Sequence, residues 1–425
     1  MGTIIDLRLG DICLDWSKNS MGIDHGMLFQ DRDRHRIPCE QVDYSEANPE
    51  DDEIQRMELA FSRTLREIVP RLDLLGFGLE RAAKDYADFV ENHCINDLLF
   101  PNSPPQNTMD FSEFLSFVTR HPLSSLSREK HIVGDTNYVP ANFGSLLELQ
   151  RIPRFAFYNT SSSELDNFVE IIGILHPYSL MRILAENEAN LNTDVVWHYG
   201  ALAENGWAAH EDFKPNARRL QTFLIATEGS SDTSVISHAI ALLRPDIADF
   251  FRFVDMKDDY PFSGSGNLVN LAKGLSQIDM HNMIVYLFDN DGEGYSAFQK
   301  VQRLDLPKNM RPLMLPELEE FRNFPTLGPE GPGFADINRR AAAIECYLDL
   351  RLENRPPPRV IWSSYKSDIQ MYHGALDHKE SYLKPFLKLN TEDFGGSNYD
   401  VSKLEQILEL LISECASIAH DISQD

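Results

Sequence analysis

The sequence predicts an α/β fold, with a parallel β-sheet flanked by helices in the second half of the chain. Three observations support this prediction. Short apolar segments alternate with helical segments after residue 221, two of the apolar segments end in acidic motifs that contain glycine, and the first half of the chain has a different pattern. Strands that alternate with single helices are typical of parallel sheets, because each crossover helix packs on a face of the sheet.

The first part of the chain, residues 1–215, is predicted to be a separate α+β domain. Residues 3–16 alternate apolar and polar side chains, as a half-buried strand does. Helical periodicity follows in four segments, which are residues 45–69, 73–92, 109–120 and 163–193. A polar stretch with Gly and Pro at residues 205–220 predicts the end of this domain.

The middle region, residues 216–335, carries the strand and helix alternation. Its predicted strands are residues 222–229, 250–256, 283–291 and 311–318, and its predicted helices are residues 231–243, 266–278 and 293–304.

The third region, residues 336–425, is predicted to be helical. One helix is expected over residues 333–352, and an amphipathic helix over residues 399–422. The amphipathic helix either packs on its own domain or forms a dimer contact.

Composition and charge narrow the class of protein. The chain has 425 residues and 42% hydrophobic residues, no run of 18 apolar residues and no signal peptide, so we expect a cytoplasmic protein that does not enter a membrane. Its five scattered cysteines argue against a disulfide framework and a CxxC zinc site.

The net charge of −27 opposes binding to nucleic acid, but the charge is unevenly distributed. Residues 294–390 hold 14 Lys and Arg against 12 Asp and Glu, a charge of +2, which leaves −29 for the rest of the chain. A phosphate backbone is therefore expected to lie along this stretch.

Two acidic motifs directly follow two of the predicted parallel strands. The first is Glu228-Gly-Ser-Ser-Asp232, and the second is Asp289-Asn-Asp291-Gly-Glu293-Gly. Sites in open α/β sheets form at the carboxyl ends of the strands. Carboxylate oxygens at this spacing suit Mg²⁺, and Mn²⁺ is an acceptable substitute. Acidic residues and Gly also form turns, but two such motifs together, in order and each after a predicted parallel strand, favour a metal site.

The second motif also imitates a calcium-binding EF-hand loop, and this interpretation is rejected. Acidic residues stand at 289, 291 and 293, but the twelfth position of the loop is Lys300 instead of Glu. The preceding MIVYLF segment is a predicted strand and not a helix.

The segments LIATEGSSDTSVI and VYLFDNDGEGYSA resemble the Toprim fold, a Rossmann-like sheet with a Glu after its first strand and a DxD motif after a later one. By this resemblance Glu228 is an acid/base or metal-binding carboxylate, and Asp289 and Asp291 are Mg²⁺ ligands. Asp232 matches the second acidic position of the first motif, and Glu293 stands where some members carry a third Asp.

Less specific motifs, spread over nearly the whole chain, resemble the HEPN/Toprim-associated proteins of bacterial conflict systems. These are LRLGDICLDWSKN, the segment from LHPYSLMRILAENEANLNT to HYGALAENGW, and FSGSGNLVNLAKGL. The resemblance implies a role in phage defence, in which an N-terminal domain is attached either to a HEPN ribonuclease or to a Toprim domain.

The HEPN, primase and topoisomerase alternatives fit poorly. A HEPN site needs Arg and His four to six residues apart, but Arg128 and His131 have only two residues between them. A primase would bring a CxxC zinc ribbon, and a type IA topoisomerase would need a much longer chain.

Five further residues are weaker candidates for the site. Gly264 and Gly266 precede a helix and either hold a phosphate or form a tight turn. Glu345 either joins the acidic site or is an ordinary helix residue. Lys366 and Lys379 either neutralise a scissile phosphate or are surface charges.

The expected function is Mg²⁺-dependent cleavage of phosphodiester bonds in DNA or RNA, catalysed by Glu228, Asp289 and Asp291. A protein partner from a defence operon and a homo-oligomer are compatible with this expectation. The rival expectation is a regulatory module that holds metal, phosphate or a nucleotide and cuts nothing. The acidic bulk favours the rival, whereas three convergent carboxylates favour the enzyme.

Overall fold

The computed structural model forms two compact units, residues 1–217 and 218–423. The described residues are 2–38, 57–99, 108–129, 143, 146–149, 151–153, 163–254, 264–278, 280–351, 357–366, 371–390 and 398–423. None of the helices in these ranges combines the length and the apolar character needed to cross a lipid bilayer.

The N-terminal unit contains a five-stranded antiparallel sheet. Its strands are β1 (Ile4–Leu9), β2 (Ile12–Lys18), β3 (Arg34–Pro38), β4 (Met57–Thr64) and β5 (Asp194–His198). They are arranged in the order β2-β1-β5-β4-β3. Stacked aromatic rings, among them Phe29, Phe61 and Trp197, fill the core beneath this sheet.

Seven helices complete the described part of the N-terminal unit. They are α1 (Leu65–Leu74), α2 (Leu79–Leu99), α3 (Phe111–Thr119), α4 (Leu146–Leu149), α5 (Glu164–Ile172), α6 (Pro177–Leu184) and α7 (Gly200–Glu204). Their buried faces, which include Leu72, Phe114 and Phe168, belong to one continuous hydrophobic core with the sheet.

The predicted helix over residues 45–69 is wrong for residues 57–64, which form β4. This strand lies between β3 and β5, so its backbone is hydrogen-bonded on both sides. This pairing, together with the burial of Ala60 and Phe61 at the centre of the strand, overrides the helical periodicity of the sequence. The helix begins only at Leu65, and residues 45–56 of the prediction lie outside the described residues.

The second unit is built on a four-stranded parallel sheet. Its strands are β6 (Phe223–Thr227), β7 (Phe251–Phe253), β8 (Met283–Phe288) and β10 (Met310–Met314), in the order β10-β8-β6-β7. All three neighbouring pairs are parallel. Connecting helices are α8 (Ser230–Leu243), α9 (Ser265–Ser276) and α10 (Gly292–Gln302). The predicted mixed α/β architecture with a parallel sheet is therefore confirmed.

The remainder of this unit adds two small sheets. The two-residue strand β9 (Asn290–Asp291) pairs with β13 (Ala341–Ala342). The other sheet has the order β12-β11-β14-β15, with β11 (Phe324–Gly328), β12 (Gly331–Ala335), β14 (Val360–Lys366) and β15 (Met371–Leu376). Two helices follow, α11 (Glu380–Phe386) and α12 (Ser402–Ser423).

The predicted helix over residues 333–352 is wrong, because that segment forms β12, a turn, β13 and a short 3₁₀ helix at Ile344–Tyr347. Arg339 in the turn has a φ of 58°, which an α-helix does not allow. The expected helical C-terminal region thus contains strands as well as helices. The amphipathic helix α12 buries its apolar face against α8 and the strands β8 and β10 of its own unit.

Candidate functional site

The first and second acidic motifs meet at one edge of the parallel sheet. Glu228 follows β6 and Asp289 follows β8, and these two strands are direct neighbours in the sheet. The side chain of Glu228 reaches across to the next strand, where its Oε1 accepts a hydrogen bond of 3.0 Å from the backbone N–H of Asp289. The carboxyl ends of adjacent parallel strands thus place both acidic residues side by side.

Asp232 and Asp291 join this pair from the N-terminal ends of two helices. Asp232 lies in the first turn of α8, and its Oδ2 accepts a hydrogen bond of 2.7 Å from the N–H of Gly229. Asp291 is the N-cap of α10, and its Oδ1 accepts from the N–H of Glu293 and of Gly294, at 2.9 and 2.8 Å. Each carboxylate therefore also satisfies amides at a helix start.

The four residues Glu228, Asp232, Asp289 and Asp291, here called the acidic cluster, share one hydrogen-bonding pattern. Asp289 completes it, because its Oδ1 accepts a bond of 3.0 Å from the N–H of Ile344. In each residue one oxygen is held by backbone N–H groups, while the second oxygen has no hydrogen bond to any described residue. Oriented carboxylates with a spare oxygen are the donors that hard divalent cations prefer.

Burial and mutual repulsion strongly favour the protonated forms of these acids. Burial, followed by the charge of Asp291, raises the pKa of Glu228 to about 8. Burial also raises the pKa of Asp232 to about 7, against the opposing hydrogen bond from Gly229. The pKa of Asp289 lies well above its usual value because of burial and the charges of Asp232 and Glu228. A bound cation would offset this concentration of negative charge.

The pKa of Asp291 is also raised, again chiefly by burial. The two helix amides that its Oδ1 accepts from oppose this shift, because hydrogen bonds to a carboxylate favour its charged form.

Gly294 allows α10 to approach the cluster closely. A Cβ at this position would stand 2.2 Å from the carbonyl oxygen of Asp289 and 2.7 Å from Oε1 of Glu228. No side chain larger than hydrogen fits there without moving the backbone. The last glycine of the second motif therefore permits backbone to pack on backbone.

Asn290, between the two aspartates, is completely buried and fixes the motif to the chain that follows β10. Its amide nitrogen donates to Oδ1 of Asn338 at 3.0 Å and to Oη of Tyr347 at 3.1 Å, and its Oδ1 accepts from the N–H of Arg339 at 2.7 Å. This role could not be predicted from the sequence, because a lone polar residue between two acids carries no signal for it.

Glu345 lies beside the acidic cluster and carries its own counter-ion. Its buried carboxylate accepts from Nζ of Lys379 at 3.1 Å. Burial lowers the pKa of Lys379, but the negative charges of Glu345 and Asp232 raise it by more. The pKa of Lys379 therefore lies above its usual value. The structure thus brings both of these weaker candidates to the cluster, with Lys379 half exposed.

Four other candidates lie in different environments. Glu293 is exposed on the first turn of α10, and its charge raises the pKa of Glu228 and of Asp291. Gly264, with a φ of 93°, donates its N–H to the carbonyl oxygen of Glu228 at 2.7 Å and caps α9. Gly266 lies in the first turn of that helix, with open space where a Cβ would stand. Lys366 ends β14, and its side chain lies outside the described residues.

The carboxylate oxygens of the acidic cluster are suitable ligands for a hard divalent cation, but the side chains are too far apart to bind one without moving. In the described part of the chain, no three His, Cys, Asp or Glu side chains stand close enough to hold a metal ion. Closure of the set around a cation would therefore need a side-chain movement.

The N-terminal unit of the chain matches a known protein family. A family model described as HEPN/Toprim N-terminal domain 1 matches residues 1–221. The chain belongs to this HEPN/Toprim family. The matched residues coincide closely with the N-terminal unit and end just before β6, so the match does not include the acidic cluster. No curated protein and no solved structure has significant similarity to the chain.

The Arg128 and His131 pair, which the sequence offered as the nearest match to a HEPN site, lies within the residues matched by the family model. Arg128 forms an ion pair with Asp11 of the same unit, and His131 lies outside the described residues. In the described ranges Arg128 follows the 3₁₀ turn Leu123–Ser125 and is not part of a helix.

Proposed function

We propose that this protein is a Mg²⁺-dependent nuclease of the Toprim type, which cleaves phosphodiester bonds of DNA or RNA in anti-phage defence. The observation that carries the proposal is the acidic cluster, in which Glu228 and Asp289 end adjacent parallel strands and each carboxylate keeps one oxygen without a hydrogen bond. The order of these residues along the chain is that of the Toprim motifs, and the family match supports the same class.

The residues of this chain divide the work at such a site. Glu228, Asp289 and Asp291 would hold the cation, with Asp232 and Glu293 adding negative charge beside them. A divalent cation bound there would stabilise the charge that develops on the phosphate oxygens during cleavage. The ammonium group of Lys379, fixed by Glu345 and half exposed, would bind a phosphate oxygen at the edge of the cluster. Mn²⁺ would serve in place of Mg²⁺.

Charge and surroundings agree with a phosphate-containing substrate next to the cluster. The chain as a whole carries a net charge of −27, which would repel a polyanion, but the stretch 294–390 that follows the second motif is close to neutral. We propose that the substrate backbone lies along this stretch. The proposed setting is the cytoplasm, with a protein partner from a defence operon or a second copy of the chain completing the assembly.

A second candidate function is a regulatory module that holds metal, phosphate or a nucleotide without cutting nucleic acid. The observation in its favour is the acidic excess outside residues 294–390, which lowers affinity for nucleic acid. It differs from the first candidate in one measurable property, the turnover of a phosphodiester.

A cleavage assay on the full-length protein separates the two. Single-stranded RNA, single-stranded DNA and duplex DNA are incubated with Mg²⁺ or Mn²⁺, and the products are resolved by size. The nuclease proposal expects cleavage that stops with a chelator and with Asp289→Asn. Metal binding without cleavage of any of the three substrates would support the regulatory module instead.

A further inference from the structure

A histidine, His373, also lies beside the acidic cluster. His373 lies at the centre of β15, the edge strand of the β12-β11-β14-β15 sheet. This strand contacts both β13 and the helix α10. Because β13 pairs with Asp291, the fold brings the histidine to the second acidic motif although 82 positions separate the two residues in the chain (373 − 291).

The imidazole of His373 is an incompletely satisfied group. Its Nδ1 is buried and has no hydrogen-bond partner in the described part of the chain. The nearest acceptor is Oδ2 of Asp291, at 4.0 Å, which is too far for a hydrogen bond. A buried ring nitrogen without a partner is unfavourable by itself, because it has lost its water without gaining a replacement.

The unpaired ring nitrogen lies 4.0 Å from a carboxylate oxygen that has no hydrogen bond to the described residues. Oδ2 of Asp291 is the oxygen that the helix amides leave free, since Oδ1 accepts from Glu293 and Gly294. A divalent cation forms bonds of about 2 Å to carboxylate oxygen and imidazole nitrogen. Two atoms 4.0 Å apart can therefore contact one cation with only a small side-chain movement.

We propose that His373 is a further ligand of the cation held by Asp291, and that it shifts the preference of the site from Mg²⁺ toward Mn²⁺. Mg²⁺ takes oxygen ligands almost without exception, whereas first-row transition cations accept an imidazole nitrogen readily. A mixed set of carboxylates and one imidazole thus matches Mn²⁺ better than a set of carboxylates alone. This inference rests on the proposed function, because it concerns the same metal site.

The decisive measurement is the ligand nitrogen itself. Full-length protein is loaded with Mn²⁺, and pulsed electron paramagnetic resonance detects a directly bound ¹⁴N nucleus. We expect this coupling in the wild-type protein and its loss in His373→Asn. The matched control is His378→Asn, which removes an exposed histidine five positions further along and leaves a residue that tolerates the left-handed backbone found there. This control should keep the nitrogen coupling.

Calorimetric titration supplies a second readout that does not depend on activity. His373→Asn should weaken Mn²⁺ binding by roughly tenfold or more. Its affinity for Mg²⁺ should change much less, so that the ratio of the two affinities moves toward Mg²⁺. Metal-free melting of each variant shows whether it folds, and His373→Ala serves as the second variant, since it cannot offer an amide oxygen in place of the ring.

The outcomes distinguish this inference from the proposed function. Mn²⁺ bound without a nitrogen coupling, or an unchanged Mn²⁺ affinity in both variants at position 373, would overturn the role of His373 while leaving the nuclease intact. Failure of the wild-type protein to bind Mn²⁺ or Mg²⁺ at all would overturn the proposed metal centre, and the role of His373 with it.

Discussion

Replacement of Glu228 by Gln should stabilise the metal-free protein and abolish its activity. The amide oxygen can still accept from the N–H of Asp289, so the shape of the site is preserved. The pKa of Glu228 is raised from 4.5 to about 8, and a tenfold change in acidity corresponds to about 1.4 kcal/mol. Near pH 8 the variant should therefore gain up to roughly 4 kcal/mol in the free energy of unfolding.

The stability of the metal-free protein should depend on pH, because the pKa of Glu228 is higher in the folded protein than in the unfolded chain. Between pH 5 and 8 the folded protein keeps the proton of Glu228, whereas the unfolded chain has released it. The metal-free wild-type protein therefore loses stability as the pH rises through this range, and the loss should be smaller in the Gln variant. Near pH 4 both states hold the proton, and the two proteins should melt alike.

Thermal melting in the presence of a chelator, repeated from pH 4 to 8, measures this difference. Glu330→Gln, which neutralises an exposed glutamate of the same unit, is the matched control and should leave melting unchanged. With Mg²⁺ added, the rise in melting temperature should shrink in the Glu228 variant. Cleavage should fall at least about a hundredfold. A variant that melts below wild type at pH 8, or that retains cleavage, would refute the reasoning.

Other changes test single features of the two units. Asp289→Asn replaces a carboxylate whose pKa is raised well above its usual value, so cleavage and protection against phage should disappear while metal-free melting stays at or above wild type; full protection would show that the carboxylates are structural. Gly294→Ala places a Cβ against the carbonyl of Asp289, and we expect a loss of about 1–3 kcal/mol in urea unfolding, which an unchanged midpoint would contradict. Residues 1–217 expressed alone should leave labelled RNA uncut, because the unit lacks the spacing of a HEPN site.

Local patterns in the sequence were sufficient for the parallel sheet. The segments that form β6 and β8 are short, continuous runs of apolar residues, and a motif with Gly follows each of them. The residues of each segment are therefore enough to predict a buried strand. The acidic motifs at their ends could be placed together for the same reason, since strands linked in turn by helical crossovers, here α8 and α9, run in the same direction.

Features that depend on contacts distant in sequence could not be predicted in this way. Residues 57–64 have the periodicity of a helix when read alone, but pairing on both sides makes them a central strand. Asn290 binds the turn at Arg339 and pairs with the strand β13, and nothing in the sequence near position 339 indicates these contacts. His373 reaches Asp291 only through the packing of β15 on α10 and β13.

The burial of Asn290 and the close approach of Gly294 affect how related chains should be searched for. A search pattern that requires only two aspartates allows any residue between them. In this protein the residue between them, Asn290, forms hydrogen bonds to residues 338, 339 and 347. A stricter pattern of Asp-Asn-Asp-Gly-x-Gly selects chains in which the same backbone arrangement can form. Chains with a bulky aliphatic residue in the middle position would need a different connection after β10, and alignments across that boundary should be made separately.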